Sequence, residues 1–169
     1  MATRLPELIE PLRLAEKGVR LNGKMELSRM PRLGASLCDQ TGQVFIDILF
    51  TRGDDRVPYA KGAVKTRLKV LCQRCIEPMD LDIETEMKVE LLVGEKAVGR
   101  LEDYEPLAVT PESMSLVEFI EDEIILALPI APMHPEGQCP SDGQFEYAAT
   151  GRLTNPFAVL SKLKIVNDH

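Results

Sequence analysis

The chain has 169 residues, 44% hydrophobic and 28% charged, a globular composition that excludes fibrous and disordered classes and suits a single domain over 1–169. Its formal net charge of −7 argues against a generic nucleic-acid binder. The charge is polarised, with 14 Lys/Arg against 8 Asp/Glu in residues 1–75 and 6 against 19 in residues 76–169. Such a chain either offers a basic face to RNA or an acidic partner, or neutralises its own halves on folding.

The first residues contain no apolar run of signal-peptide length, and Pro6 and Pro11 break them into short pieces. No stretch reaches about 18 apolar residues. A cytoplasmic protein with reduced cysteines and no membrane partner is expected. From Val19 to Leu27, Val19, Leu21, Met25 and Leu27 alternate with Arg20, Asn22, Lys24 and Glu26, the pattern of a half-buried strand. Gln43 to Thr51 is rich in β-branched and aromatic residues and predicts a more buried strand. Thr51 to Pro58 is a turn or loop.

The strongest β pattern covers 61–72 and 79–93. In the first segment Val64, Thr66, Leu68, Val70 and Cys72 share one face, and Lys61, Lys65, Arg67 and Lys69 the other. In the second, Met79, Leu81, Ile83, Met87, Val89, Leu91 and Val93 alternate with Asp80, Asp82, Glu84, Glu86 and Glu90, with Lys88 the exception. A short link makes the two an antiparallel hairpin. Both apolar faces enter one core, so partner numbers must sum to an odd value. A sum of about 151 sets Lys69 opposite Asp82, Arg67 opposite Glu84, Lys65 opposite Glu86 and Lys61 opposite Glu90. The basic stripe is then spoken for, which weakens it as an RNA surface.

Residues 94–112 are acidic and proline-containing, as in a surface loop. A helix is predicted over 115–128. Ser115 and Glu118 form a capping box, Met114 and Phe119 a staple, and Pro129 the stop. Asn155 and Pro156 open a short C-terminal helix over 156–164. The expected fold class is α+β: an antiparallel sheet around the central hairpin, one mid-chain helix and a short C-terminal helix.

Cys72 and Cys75 form a CxxC in the hairpin turn, where a zinc knuckle places its thiolates. His134 and Cys139 are the most convincing partners, giving a candidate Cys3His zinc site. Cys72 as a small core side chain is the alternative. Cys38, after Leu37, is read as packing. With two histidines in the chain, one of them the last residue, no catalytic residues are assigned. The run Glu121, Asp122 and Glu123 offers a metal-dependent nuclease as a remote alternative. A dipole-favoured helix start, with Glu123 paired to a nearby cation, explains these residues more simply.

LCQRCIEPMD from Leu71, VEFIEDEIILALPIAPMH from Val117, Cys139, NPFAVLSKLK from Asn155 and the opening LPELIEPLRLAEKG from Leu5 together resemble the YceD family of large ribosomal RNA subunit accumulation proteins. The resemblance spans nearly the whole chain. It implies a non-enzymatic ribosome-biogenesis factor for synthesis, processing or stability of large-subunit (23S) rRNA. Its partners would be a large-subunit rRNA precursor or an assembly intermediate, or a ribosomal or RNA-processing protein. The alternative is a protein–protein adaptor working through the acidic half. Any RNA contact needs a local basic surface. Arg4, Arg13, Lys17, Arg20, Lys24, Arg29 and Arg32, with Lys162 and Lys164, have no obvious sequence partners and form the candidate surface. No aromatic residue is interleaved among them in sequence, so phosphate-driven binding without base stacking is expected.

Overall fold

The computed structural model describes residues 5–53, 56–93, 101–110 and 112–140. In chain order its elements are β1 (Leu8–Ile9), α1 (Pro11–Lys17), β2 (Arg20–Glu26), a 3-10 turn (Leu27–Arg29), α2 (Pro31–Gly34), β3 (Gln43–Arg52), β4 (Pro58–Leu71), β5 (Pro78–Val93), β6 (Glu105–Val109), β7 (Met114–Ser115) and α3 (Leu116–Ala127). The α+β class holds, and the sheet is mostly antiparallel. The expected helix over 156–164 lies outside the described residues, as do Arg4, Lys162 and Lys164.

Five strands form one sheet in the order β2-β3-β4-β5-β6. Each of the first three pairings is antiparallel, and β6 joins β5 in parallel. The sequence pattern of residues 94–112 concealed β6, which has only five residues and includes Pro106. The parallel edge pairing satisfies a strand too short to show a period of its own. Pro11 does not merely break the N-terminal segment. It occupies the first turn of α1, where its missing N–H costs nothing, and Gly18 closes the helix at φ 64.

Alternation sets which side chains enter the core. Val44, Ile46, Ile48 and Phe50 on β3, Ala60, Val64 and Leu68 on β4, and Ile83, Met87, Val89 and Leu91 on β5 are buried. Leu116, Phe119, Ile120 and Ile124 of α3 belong to the same cluster. Ser115 Oγ accepts the Glu118 N–H at 3.2 Å, as its capping position predicts. The opposite face of β2–β5 carries the charged positions.

The hairpin register differs from the expected one by two residues. Lys69 faces Asp80, Arg67 faces Asp82, Lys65 faces Glu84, and Lys61 faces Lys88. A two-residue slip preserves every face, and the expected inward and outward sets hold except at the end of β5. There Val93 is 52% exposed and Glu90 is 1% exposed, its carboxylate accepting the Leu101 N–H at 2.9 Å. The turn decides between the two registers. Cys72 N donates to Glu77 O at 3.0 Å and Ile76 N donates to Cys72 O at 2.8 Å. This closes a tight knuckle and brings Leu71 opposite Pro78. Salt bridges Lys65–Glu84 and Arg67–Asp82 follow, all four side chains being more than half exposed.

Candidate metal centre

β4 ends by delivering Cys72 to the buried face of the sheet, and the knuckle turns Cys75 back toward it. The second half arrives from the segment after α3. Gln73 N donates to Pro132 O at 2.8 Å, laying that segment beside the knuckle. Gln138 N donates to Pro135 O at 3.1 Å, with Gly137 at φ 74. This turn folds Cys139 back onto His134.

All four sequence-predicted ligands converge: one donor atom from each of Cys72, Cys75, His134 and Cys139 lies within 4.8 Å of every other. Cys72 Sγ and Cys139 Sγ are 3.9 Å apart. His134 Nδ1 is 3.4 Å from Cys75 Sγ and 3.8 Å from Cys139 Sγ. Ligands at about 2.3 Å (S) and 2.0–2.1 Å (N) in a tetrahedron stand about 3.8 Å apart for S–S and about 3.6 Å for S–N. The observed separations match that geometry. Cys72 and Cys139 are buried, and Cys75 and His134 are partly so.

The environment favours thiolate at one position. Burial works against ionisation of Cys72, but N–H groups of His134, Cys75 and Arg74 outweigh it and bring its pKa down to about 5. Burial, followed by the crowding of the other sulfurs, pushes Cys75 upward. Arg74 is the site residue that spacing did not reveal. Its Nε donates to Cys139 Sγ at 3.1 Å, and its Nη2 donates to His134 O at 3.0 Å and Pro135 O at 3.3 Å. It clamps the incoming segment onto the knuckle and sets a positive charge beside three thiols. Its place inside the CxxC was the only sequence signal. Cys38, expected to pack, is exposed instead; its backbone N–H bonds Lys69 O at the sheet edge, which turns the side chain outward.

The acidic run on α3 is structural in two of its members. Glu121 is 1% exposed and accepts from Leu33 N at 2.9 Å and Arg32 Nε at 3.0 Å. Asp122 accepts from Arg32 Nη1 at 2.7 Å. Among the described residues Glu123 forms no ion pair of the kind expected, although Lys88 lines the same cleft. Burial first, then Glu105 and Asp122, raise its pKa.

The basic residues reckoned to be unpaired mostly have partners. Arg13 pairs with Glu10, Arg20 with Asp47, Arg29 with Glu7, and Arg32 with Glu121 and Asp122. Lys24 Nζ donates to Gln43 Oε1 at 2.8 Å. Lys17 closes the last turn of α1. The sequence could not show this, because Arg20–Asp47, Arg29–Glu7 and both Arg32 pairs are long-range.

The family model described as "Large ribosomal RNA subunit accumulation protein YceD" matches residues 60–164, more than half of the chain. The chain belongs to the YceD family. A relative from Haemophilus influenzae, also named "Large ribosomal RNA subunit accumulation protein YceD", is 28% identical over 168 residues, covering 95% of this chain and 97% of its own length. No solved structure matches. The YceD match includes the hairpin, the knuckle, α3 and both halves of the Cys/His cluster. Among the described residues, no helix is long and apolar enough to cross a membrane.

Proposed function

We propose that this chain supports the synthesis, processing or stability of large-subunit (23S) ribosomal RNA, by binding rather than by catalysis. The match of residues 60–164 to the large ribosomal RNA accumulation family, with a relative of that name aligned over 95% of the chain, carries this reading. Its partner is a large-subunit rRNA precursor or an assembly intermediate in the cytoplasm, and the basic residues Arg13, Lys17, Arg20, Lys24 and Arg29 contribute to that contact. The ion pairs of Arg13 and Arg20 are solvent-exposed, so phosphates can compete for these side chains, less readily for Arg20, which holds Asp47 with two hydrogen bonds. Arg32 is tied to a buried carboxylate and is the least available.

Zinc is the metal that suits three thiolates and an imidazole in tetrahedral array, and four protein donors leave no open position for substrate. The centre therefore serves structure, pinning the segment after α3 to the sheet. The same geometry speaks against a metal-dependent nuclease: Glu121 and Asp122 are engaged by Arg32 and α2.

A sucrose-gradient profile of cell extract, with detection of this protein, tests the reading. Co-migration with large-subunit precursors is expected, and its loss in high salt marks a phosphate-based contact. Sedimentation at the top of the gradient at every salt concentration rejects it. Co-purification with one protein after nuclease treatment would favour an adaptor acting through the acidic half.

A further inference from the structure

We propose that the open face of β2–β3–β4 binds single-stranded RNA, with Phe45 as a base-stacking platform and Lys24, Lys65, Arg67 and Lys69 as phosphate contacts. This rests on the reading that the chain acts on large-subunit RNA.

Phe45 lies near the start of β3, between strands β2 and β4; it is 56% exposed, and its neighbours Val44 and Ile46 are 0% and 2% exposed. Its direct cross-strand partners are Lys24 on β2 and Lys65 on β4. The diagonal positions on its face hold Asn22, Glu26, Ala63 and Arg67, and its own strand offers Gln43 and Asp47. None is a large apolar residue, so the ring has nothing on this face to bury against. A lone exposed apolar side chain would be ordinary. A ring on an open antiparallel sheet, with cations on both neighbouring strands, has what an unpaired base needs: a π-face to stack on and charges for the flanking phosphates.

Two clefts extend the surface on either side of Phe45. One, of about 330 Å³, runs past Gln43, Phe45, Arg67 and Lys69 to Thr41. The other, of about 390 Å³, lies over Ala63 between Arg20, Lys61 and Lys88. Lys61 stands directly opposite Lys88, a like-charge pairing that is unfavourable alone and that a bound phosphate would relieve. Lys61 to Lys69 spans about 26 Å of strand, room for several nucleotides. The ion pairs of Lys65 with Glu84 and of Arg67 with Asp82 are solvent-exposed, the second being two-pronged, so a phosphate has to displace those carboxylates. Asp39 and Asp80 also line the first cleft, and Asp47 and Glu86 the second. Duplex RNA keeps its bases stacked on one another and gives the ring nothing to hold, so single strands should be preferred.

The chain contains no Trp, so Phe45→Trp places one reporter at the site. Binding of the full chain to an RNA of about twelve nucleotides, single-stranded and as a duplex, is measured against salt for the natural sequence, Phe45→Ala, Phe45→Trp and Lys65→Ala. Phe45→Ala should weaken single-strand binding about 5- to 100-fold with an unchanged salt slope, since no charge is lost. Phe45→Trp should keep the affinity, and its emission should be quenched by RNA. Lys65→Ala should reduce the salt slope by about 1. Because Phe45 is exposed, all variants should keep the natural far-UV circular dichroism. If the natural chain binds RNA while Phe45→Ala binds equally well and Trp emission is unmoved, the stacking site is overturned and the RNA reading stands. Equal affinity for the duplex also overturns it. If the natural chain binds neither RNA form, this proposal and a direct RNA contact fall together.

Discussion

At Ile76 the backbone sits at φ 61, a left-handed conformation that costs an ordinary residue about 1–2 kcal/mol and suits a β-branched one especially badly. The knuckle demands it, because Ile76 N must reach Cys72 O at 2.8 Å. The side chain is 63% exposed, so little burial compensates. Ile76→Gly is expected to raise the unfolding free energy by about 1 kcal/mol, read as a higher urea midpoint at unchanged slope. A lower midpoint would mean that the Ile76 side chain packs more than its exposure indicates. The two cysteines could be read from their spacing, but the strained position after them could not, because φ is set by closure of the turn. Arg74 makes the same point: its role depends on Cys139, His134 and Pro135, which are about 60 residues away in sequence.

Between elements, Glu121 ties α3 to α2. One carboxylate oxygen receives the Leu33 N–H and the other receives Arg32 Nε; Glu121 and Leu33 are buried, while the Arg32 side chain is half exposed. Glu121→Ala removes the acceptor for a buried N–H and leaves a void, and should cost about 3 kcal/mol. Asp122→Ala breaks only an exposed pair and should cost less than about 1 kcal/mol. Equal losses in chemical denaturation would refute this division of labour. The helix itself was legible in the sequence, since Ser115, Glu118 and Pro129 mark its ends locally. That its acidic run would serve α2 was not, because α2 is four residues long and carries no periodicity of its own.

Across the whole molecule, the Cys/His cluster joins the far end of the hairpin to the chain beyond α3, while the apolar cluster holds the sheet without it. Metal removal should therefore loosen the protein rather than unfold it, unlike a small zinc finger. With metal at about 1,000 times its Kd, binding contributes about 4 kcal/mol, or about 10 °C in Tm at this chain length. Treatment with a strong chelator should lower Tm by about that much while the far-UV circular dichroism keeps its β signature. Elemental analysis of protein purified without added metal should give one zinc per chain. A Tm indifferent to chelator, together with less than a tenth of an equivalent of zinc, would leave the cluster as four packed side chains.

The sequence by itself determined which strand positions face inward, apart from Val93 and Glu90 at the end of β5, where α3 begins and ends, that a CxxC sits at a hairpin turn, and a family resemblance that the comparison bears out. Each of these is written in local spacing: a period of two for strands, a capping box for the helix, two residues between thiols. The tertiary structure decided who stands next to whom. Parity allowed several registers for β4 and β5, and the hydrogen bonds of the knuckle selected the one that sets Lys61 against Lys88. Long-range pairing gave Arg20, Arg29 and Arg32 their carboxylates. It also put Phe45, with no basic residue within ten positions of it in sequence on its N-terminal side, between two lysines. Periodicity encodes the face of an element, because that depends on the element's own geometry. The neighbours on that face depend on how turns close and strands dock, and those are fixed only when the whole chain has folded.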